Sequence, residues 1–234
     1  MSSFNSTIPY LYLAKMKTLE KIEKLPLNID SILFNFGLPR LREGALIDDW
    51  ISADGKTTAE EQNRLHKLHK KALTSGDGWN EEELKMKFLS LLFDLVDIEI
   101  ENQIVSFYER PMSAVVNDFK ITVICDCLLA SPAGISTPKV PYFFLQEFKK
   151  QKGDSNDPEA QMLAAMVVAQ QQNANQKPVY GAWIVESIWN FTILDGKQYF
   201  VSRKFDAANF EQLLQIVFIL RKLKSMIVHS YGII

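Results

Sequence analysis

A chain of 234 residues, 47% hydrophobic and with 15 phenylalanines, has enough apolar material for one sizeable globular core. A formal net charge of −2 excludes a globally basic surface of the kind that draws proteins to nucleic acid, so any such attraction must be local. Two cysteines exclude a disulfide framework, and no apolar run reaches the ~18 residues a membrane span requires. No charged-then-apolar leader opens the chain, so the expected location is the cytoplasm.

Apolar positions over residues 11–22 and 27–36 recur at mixed helical spacing, with no strong strand signal. Thr58 and Glu61 have the spacing of a capping box and predict a helix through NRLHKLHKKAL. The breaker cluster Thr74-Ser75-Gly76-Asp77-Gly78 sets an expected boundary between a helical N-terminal extension, residues 1–76, and a core, residues 77–234. Asn80 with Glu83 predicts a second capping box, after which Leu84, Phe88, Leu91, Leu92 and Leu95 trace one buried stripe. Residues 104–108 read as irregular or strand-like, and residues 121–130 (ITVICDCLLA) and 142–150 (YFFLQEFKK) read as strands. Asp157-Pro158 then opens a helix whose Met162, Ala165, Met166 and Ala169 suit close packing on a sheet. A strand over residues 178–185 follows, then a hairpin of residues 188–194 and 198–203 around Asp195-Gly196-Lys197, and a closing helix over residues 209–226. This order predicts an α/β protein with a mixed central sheet flanked by helices.

The chemistry concentrates on the two middle strands. Asp126 is embedded in the first, and on the second Glu147 and Lys149 project to one side while Phe144 and Phe148 project to the other. Charges in apolar strands are costly to bury without a purpose. Two converging carboxylates offer hard oxygen ligands to a divalent cation, and a nearby ammonium steadies a phosphate or orients a water. Cys125 and Cys127 are expected as small core residues on the face opposite Asp126.

Asp126 on one strand, a loop with Ser131-Pro132, Gly134 and Pro138, Glu147-x-Lys149 on the next strand and then a helix carrying Gln161 form a set that resembles the PD-(D/E)XK nuclease superfamily, the restriction-endonuclease-like fold. The resemblance covers roughly residues 80–226 and departs from the family pattern where Cys125 replaces the proline that usually precedes the aspartate. It implies a restriction-endonuclease-like mixed sheet and metal-dependent hydrolysis of phosphodiester bonds in nucleic acid, DNA foremost. It further implies Mg²⁺ or Mn²⁺ held by Asp126, Glu147 and the backbone carbonyl of Phe148, with Lys149 stabilising developing charge or positioning the water. Many relatives add a glutamate from the preceding helix. Glu81 is that candidate here, because Glu83 is taken up by capping, although a first-turn acid also satisfies the helix dipole. Gln161 is expected to face the site, orienting the lysine or touching a phosphate. Many relatives dimerise, so a homodimer is among the expected assemblies. The alternative is the same fold kept as a nucleic-acid- or protein-binding module without turnover.

Other residues invite weaker readings. Arg203-Lys204 and Arg221, Lys222 and Lys224 are either phosphate contacts or ordinary solvated faces. Trp183, Trp189, Tyr180 and Tyr199 read as core, with one able to stack on an unpaired base. A zinc site from His66, His69, Cys125 and Cys127 is set aside, because a mid-strand C-x-C is poor geometry for a closed site.

Overall fold

The computed structural model describes residues 23–75, 78–149 and 157–233. The helical pattern over residues 11–22 and the Gly76-Asp77 step of the expected boundary lie outside the described residues. The N-terminal region supplies β1 (Glu23–Lys24), α1 (Ile29–Phe36), β2 (Arg40–Leu41), α2 (Ala45–Ile51) and α3 (Ala59–Ser75). Next, α4 (Glu81–Leu84) passes through a π-helical turn (Lys85–Leu89) into α5 (Ser90–Val96). The strands β3 (Val105–Val116), β4 (Phe119–Pro132) and β5 (Pro138–Lys149) lead to α6 (Pro158–Asn173). The chain closes with β6 (Val179–Val185), β7 (Ile188–Asp195), β8 (Gln198–Asp206) and α7 (Phe210–Tyr231).

Local chemistry accounts for the main boundaries. The amide of Glu83 donates to Asn80 at 2.8 Å and the amide of Asn80 to Glu83 at 3.1 Å, completing one capping box. Thr58 and Glu61 do the same at the start of α3. Asp157 caps α6, with Pro158 pre-set for the first turn. Asn117 and Asp118, at φ 48° and 67°, make the two-residue turn of the β3–β4 hairpin, and Gly196, at φ 55°, serves the β7–β8 turn. Sequence reading had no hairpin at residues 117–118, because it took the strand signal to end at Tyr108.

The eight strands form one mixed sheet in the order β1-β4-β5-β6-β7-β8-β2, with β3 also paired to β4. One face carries α1 and α6, where Ile32, Phe36, Met162 and Met166 pack against Ile121, Val123 and Leu145. The other carries α2, α3, α5 and α7, where Trp50, Leu92 and Leu220 pack against Leu129, Phe144, Phe148 and Phe191. Each face buries a layer of aliphatic and aromatic side chains, the dominant favourable term in folding. The region expected as a purely helical extension therefore also contributes strands, with β1 parallel to β4 and β2 parallel to β8. Two-residue strands leave no period to read in a sequence.

Two further expectations are corrected. Leu91, placed on the buried stripe, is 44% exposed, because the π-helical turn inserts a residue and rotates the apolar face onto Leu89, Leu92 and Phe93. Cys125 and Cys127 do not share a face: Cys125 joins the α6-side core and Cys127 the α7-side core. The cause is a kink in which Glu109, at φ 52°, stands between the Tyr108↔Cys127 and Arg110↔Cys125 pairs and opposite Asp126. A left-handed residue in mid-strand breaks the alternation, and both strands exchange faces there. Among the described residues no helix is long and apolar enough to cross a membrane.

Candidate functional site

The sheet opens at Asp126. β5 pairs with β4 from Pro138↔Pro132 to Gln146↔Cys127 and then continues on β6 alone through Glu147↔Trp183, Phe148↔Ile184 and Lys149↔Val185. The edge of β5 thus faces a gap beyond Gln146. Into this gap Asp126 places its carboxylate, and Oδ2 accepts the Phe148 amide at 2.8 Å. A side-chain oxygen takes the place of a strand carbonyl, so Asp126 lies close to the plane of the sheet. In an extended strand the N–H and C=O of one residue point to the same edge, so the Phe148 carbonyl faces this gap as well.

Glu147 flanks the gap from one side. Leu145 belongs to the α6-side core and Phe144 and Phe148 to the other, so alternation puts Glu147 on the α6 face, 1% exposed and in register with Trp183. Gln161, in the first turn of α6, is half-buried, and its Oε1 is buried without a hydrogen-bond partner. Lys149 closes β5, and its side chain lies outside the described residues.

From the other side comes a residue the sequence reading missed. Lys85, at the start of the π-helical turn, is buried, and its Nζ lies 3.9 Å from Asp126 Oδ1. The same ammonium bonds Glu109 and reaches Glu82 at 3.3 Å, and it lies 5.8 Å from the Phe148 ring centroid. Burial disfavours the Lys85 ammonium, but the hydrogen bond to Glu109 and the charges of Asp126 and Glu109 outweigh it, holding the pKa above the ordinary lysine value. Glu81, the acid expected from this helix, stands half-buried in the first turn of α4, one turn before Lys85. A period-based search for acids on the helix could not have found Lys85, because besides Glu82 its partners come from β3 and β4.

The flanking thiols are inert. Burial, then the charge of Glu147, pushes the Cys125 thiol well up; burial, then the charge of Asp126, raises Cys127. Gln146, fully buried between Cys127 and Ala182, has neither amide atom hydrogen-bonded.

Most of the weaker basic candidates are tied into the fold, while Lys204 is exposed. Arg221 pairs with Glu61, Lys222 with Asp49 at 2.9 Å and Lys224 with Asp97 at 2.9 Å, while Arg203 lies over the Phe205 ring at 4.0 Å. Trp183, Trp189 and Tyr199 are buried, and Tyr180 packs edge-on to Trp50. His66 stacks on Phe210 at 4.0 Å and His69 contacts the Ala208 carbonyl at 2.7 Å, so both help to pack α3.

Whether these residues suit a divalent cation rests on their donors. Asp126 and the Phe148 carbonyl offer hard oxygens at the gap, and Glu147 and the buried, unpartnered Oε1 of Gln161 offer two more on the α6 side. Among the described residues no three His, Cys, Asp or Glu side chains group to hold an ion by themselves. The donor set fits an ion that retains several waters, as Mg²⁺ does. Compared with protein-family models and with curated proteins, the chain matches none of them.

Proposed function

We propose that this protein is a metal-dependent nuclease, hydrolysing phosphodiester bonds in nucleic acid, DNA foremost, at the gap between β4 and β5. The observation that supports this most directly is the Asp126 carboxylate set at the strand break, with Phe148 bonded to it at 2.8 Å and buried Glu147 next along the chain. Asp126, Glu147 and the Phe148 carbonyl would hold a Mg²⁺ or Mn²⁺ ion. Such an ion, when bound, supplies an activated water and neutralises charge on the phosphate. The Phe148 amide fixes the orientation of the Asp126 carboxylate at the gap. Lys149, two positions on from Glu147, would supply the ammonium that steadies developing charge on the phosphate. Gln161 would orient a water or a phosphate oxygen from α6. The restriction-endonuclease-like form of the sheet belongs to the same proposal.

The test is plasmid, single-stranded DNA and RNA cleavage with about millimolar MgCl2 or MnCl2, the ordinary range for weakly held ions. Glu147→Ala is expected to abolish metal-stimulated cleavage while circular dichroism stays unchanged; cleavage retained in that variant refutes the assignment.

One observation favours a second reading, a catalytically silent nuclease-like fold that binds nucleic acid or protein. The Lys85 ammonium already stands 3.9 Å from Asp126 within the fold. Calorimetric titration with MnCl2 separates the two: heat that disappears in Glu147→Ala supports the enzyme, and absence of any Asp126- or Glu147-dependent binding supports the scaffold.

A further inference from the structure

We infer that Lys85 is a built-in competitor of the divalent cation, an ammonium that holds Asp126 when the ion is absent and weakens the ion's binding when it is present. The inference rests on the reading of Asp126 as a cation ligand.

Three features converge on it. First, Lys85 is 8% exposed in its side chain and is ringed by Glu82, Glu109 and Asp126, three carboxylates to one ammonium. Among the described residues one ammonium thus faces three carboxylates, an arrangement that attracts further positive charge. Second, Lys85 approaches Oδ1 of Asp126, the oxygen that the Phe148 amide does not use. A cation taking Asp126 as a ligand meets the repulsion of that ammonium whichever carboxylate oxygen it uses. Third, two local irregularities meet here. The π-helical turn begins at Lys85, and Glu109 bonds it from a left-handed mid-strand conformation at φ 52°. Single π turns and left-handed non-glycine residues are disfavoured and persist where the surroundings hold them in place.

The electrostatics set the direction. A unit positive charge about 4 Å from an ion opposes it by an amount that spans roughly five- to a thousandfold in affinity between water and a partly screened surface. Glu82 and Glu109 are 73% and 54% exposed in their side chains, so they lie at the solvent side of Lys85 and give its ammonium a resting place when an ion displaces it from Asp126.

The experiment is calorimetric titration of the full chain with MnCl2, comparing the native sequence with Lys85→Met, Lys85→Gln, Lys85→Arg and Asp126→Asn. Lys85→Met and Lys85→Gln are expected to bind Mn²⁺ about tenfold tighter or more, Lys85→Arg no tighter, and Asp126→Asn to lose binding. Thermal unfolding with and without MnCl2 is the second readout, and the ion should raise the midpoint more in Lys85→Gln than in the native chain. If Asp126→Asn loses binding but neither neutral Lys85 variant tightens it, competition is overturned and the cation reading stands. If Asp126→Asn binds as the native chain does, or if no variant binds, the cation reading falls and the inference falls with it.

Discussion

The Phe148 amide and the Asp126 carboxylate, 2.8 Å apart, bridge the point where two strands separate, so one side chain does the work of a missing backbone acceptor. Removing it should therefore show in stability as well as in chemistry. Asp126→Ala leaves the buried Phe148 amide without its acceptor and removes one of the carboxylates beside Lys85, and is expected to cost about 2–3 kcal/mol. Asp126→Asn keeps an oxygen in place and should cost about 1 kcal/mol while still losing metal-stimulated cleavage. Urea unfolding of the two variants, beside a cleavage assay, checks both halves.

Gln146 presents the opposite case. It is fully buried, neither amide atom is bonded, and it stands in register with Cys127 and Ala182, two small residues of low polarity. Gln146→Met is expected to raise the unfolding free energy by about 1 kcal/mol, since the desolvation cost of an unmade hydrogen bond disappears. A lower denaturation midpoint in that variant would mean that Gln146 holds something the fold needs.

The two thiols should be invisible to reagents in the native state. Burial holds both in the neutral form, with the charges of Glu147 and Asp126 adding to the effect at Cys125 and Cys127 respectively. At about pH 8, below the ordinary thiol range, Ellman's reagent is expected to release no fast colour from the folded chain and to titrate both cysteines in guanidinium. Fast reaction in the native state would contradict the buried placement.

Acid stability has a local handle in Glu61. The hydrogen bond from the Thr58 amide, opposed by partial burial and helped by Arg221, holds its carboxyl below the usual range of about 4.5. A depressed folded value means that the stabilisation is complete above the unfolded pKa and fades as pH falls through the folded one. The native chain should lose more stability between about pH 6 and about pH 3 than Glu61→Gln does, because glutamine has no charge to lose. Urea midpoints at the two pH values measure the difference.

How much of this was legible beforehand follows from the range of the interactions involved. Asn80 with Glu83, Thr58 with Glu61, Asp157-Pro158 and Asp195-Gly196-Lys197 act across four residues or fewer, and each appears where the sequence placed it. The alternation that carries Phe144 and Phe148 to one face and Glu147 to the other is likewise local, because it follows from the pleat of a single strand. Lys85, Glu109 and the face exchange at Cys125 and Cys127 were not legible, since they depend on how a π-helical turn and two distant strands come into register.

The amino-acid order by itself determined the α/β class, most of the helices and strands after Asn80 apart from the β3–β4 hairpin, and the candidate acids Asp126 and Glu147, because caps, turns and strand periods are written in neighbouring residues. Only the tertiary structure decided that Lys85 reaches Asp126, that Arg221, Lys222 and Lys224 are engaged by Glu61, Asp49 and Asp97, and that the N-terminal region lends strands to the sheet. Those pairings join groups far apart along the chain, and packing, not sequence spacing, selects which of many possible partners meet.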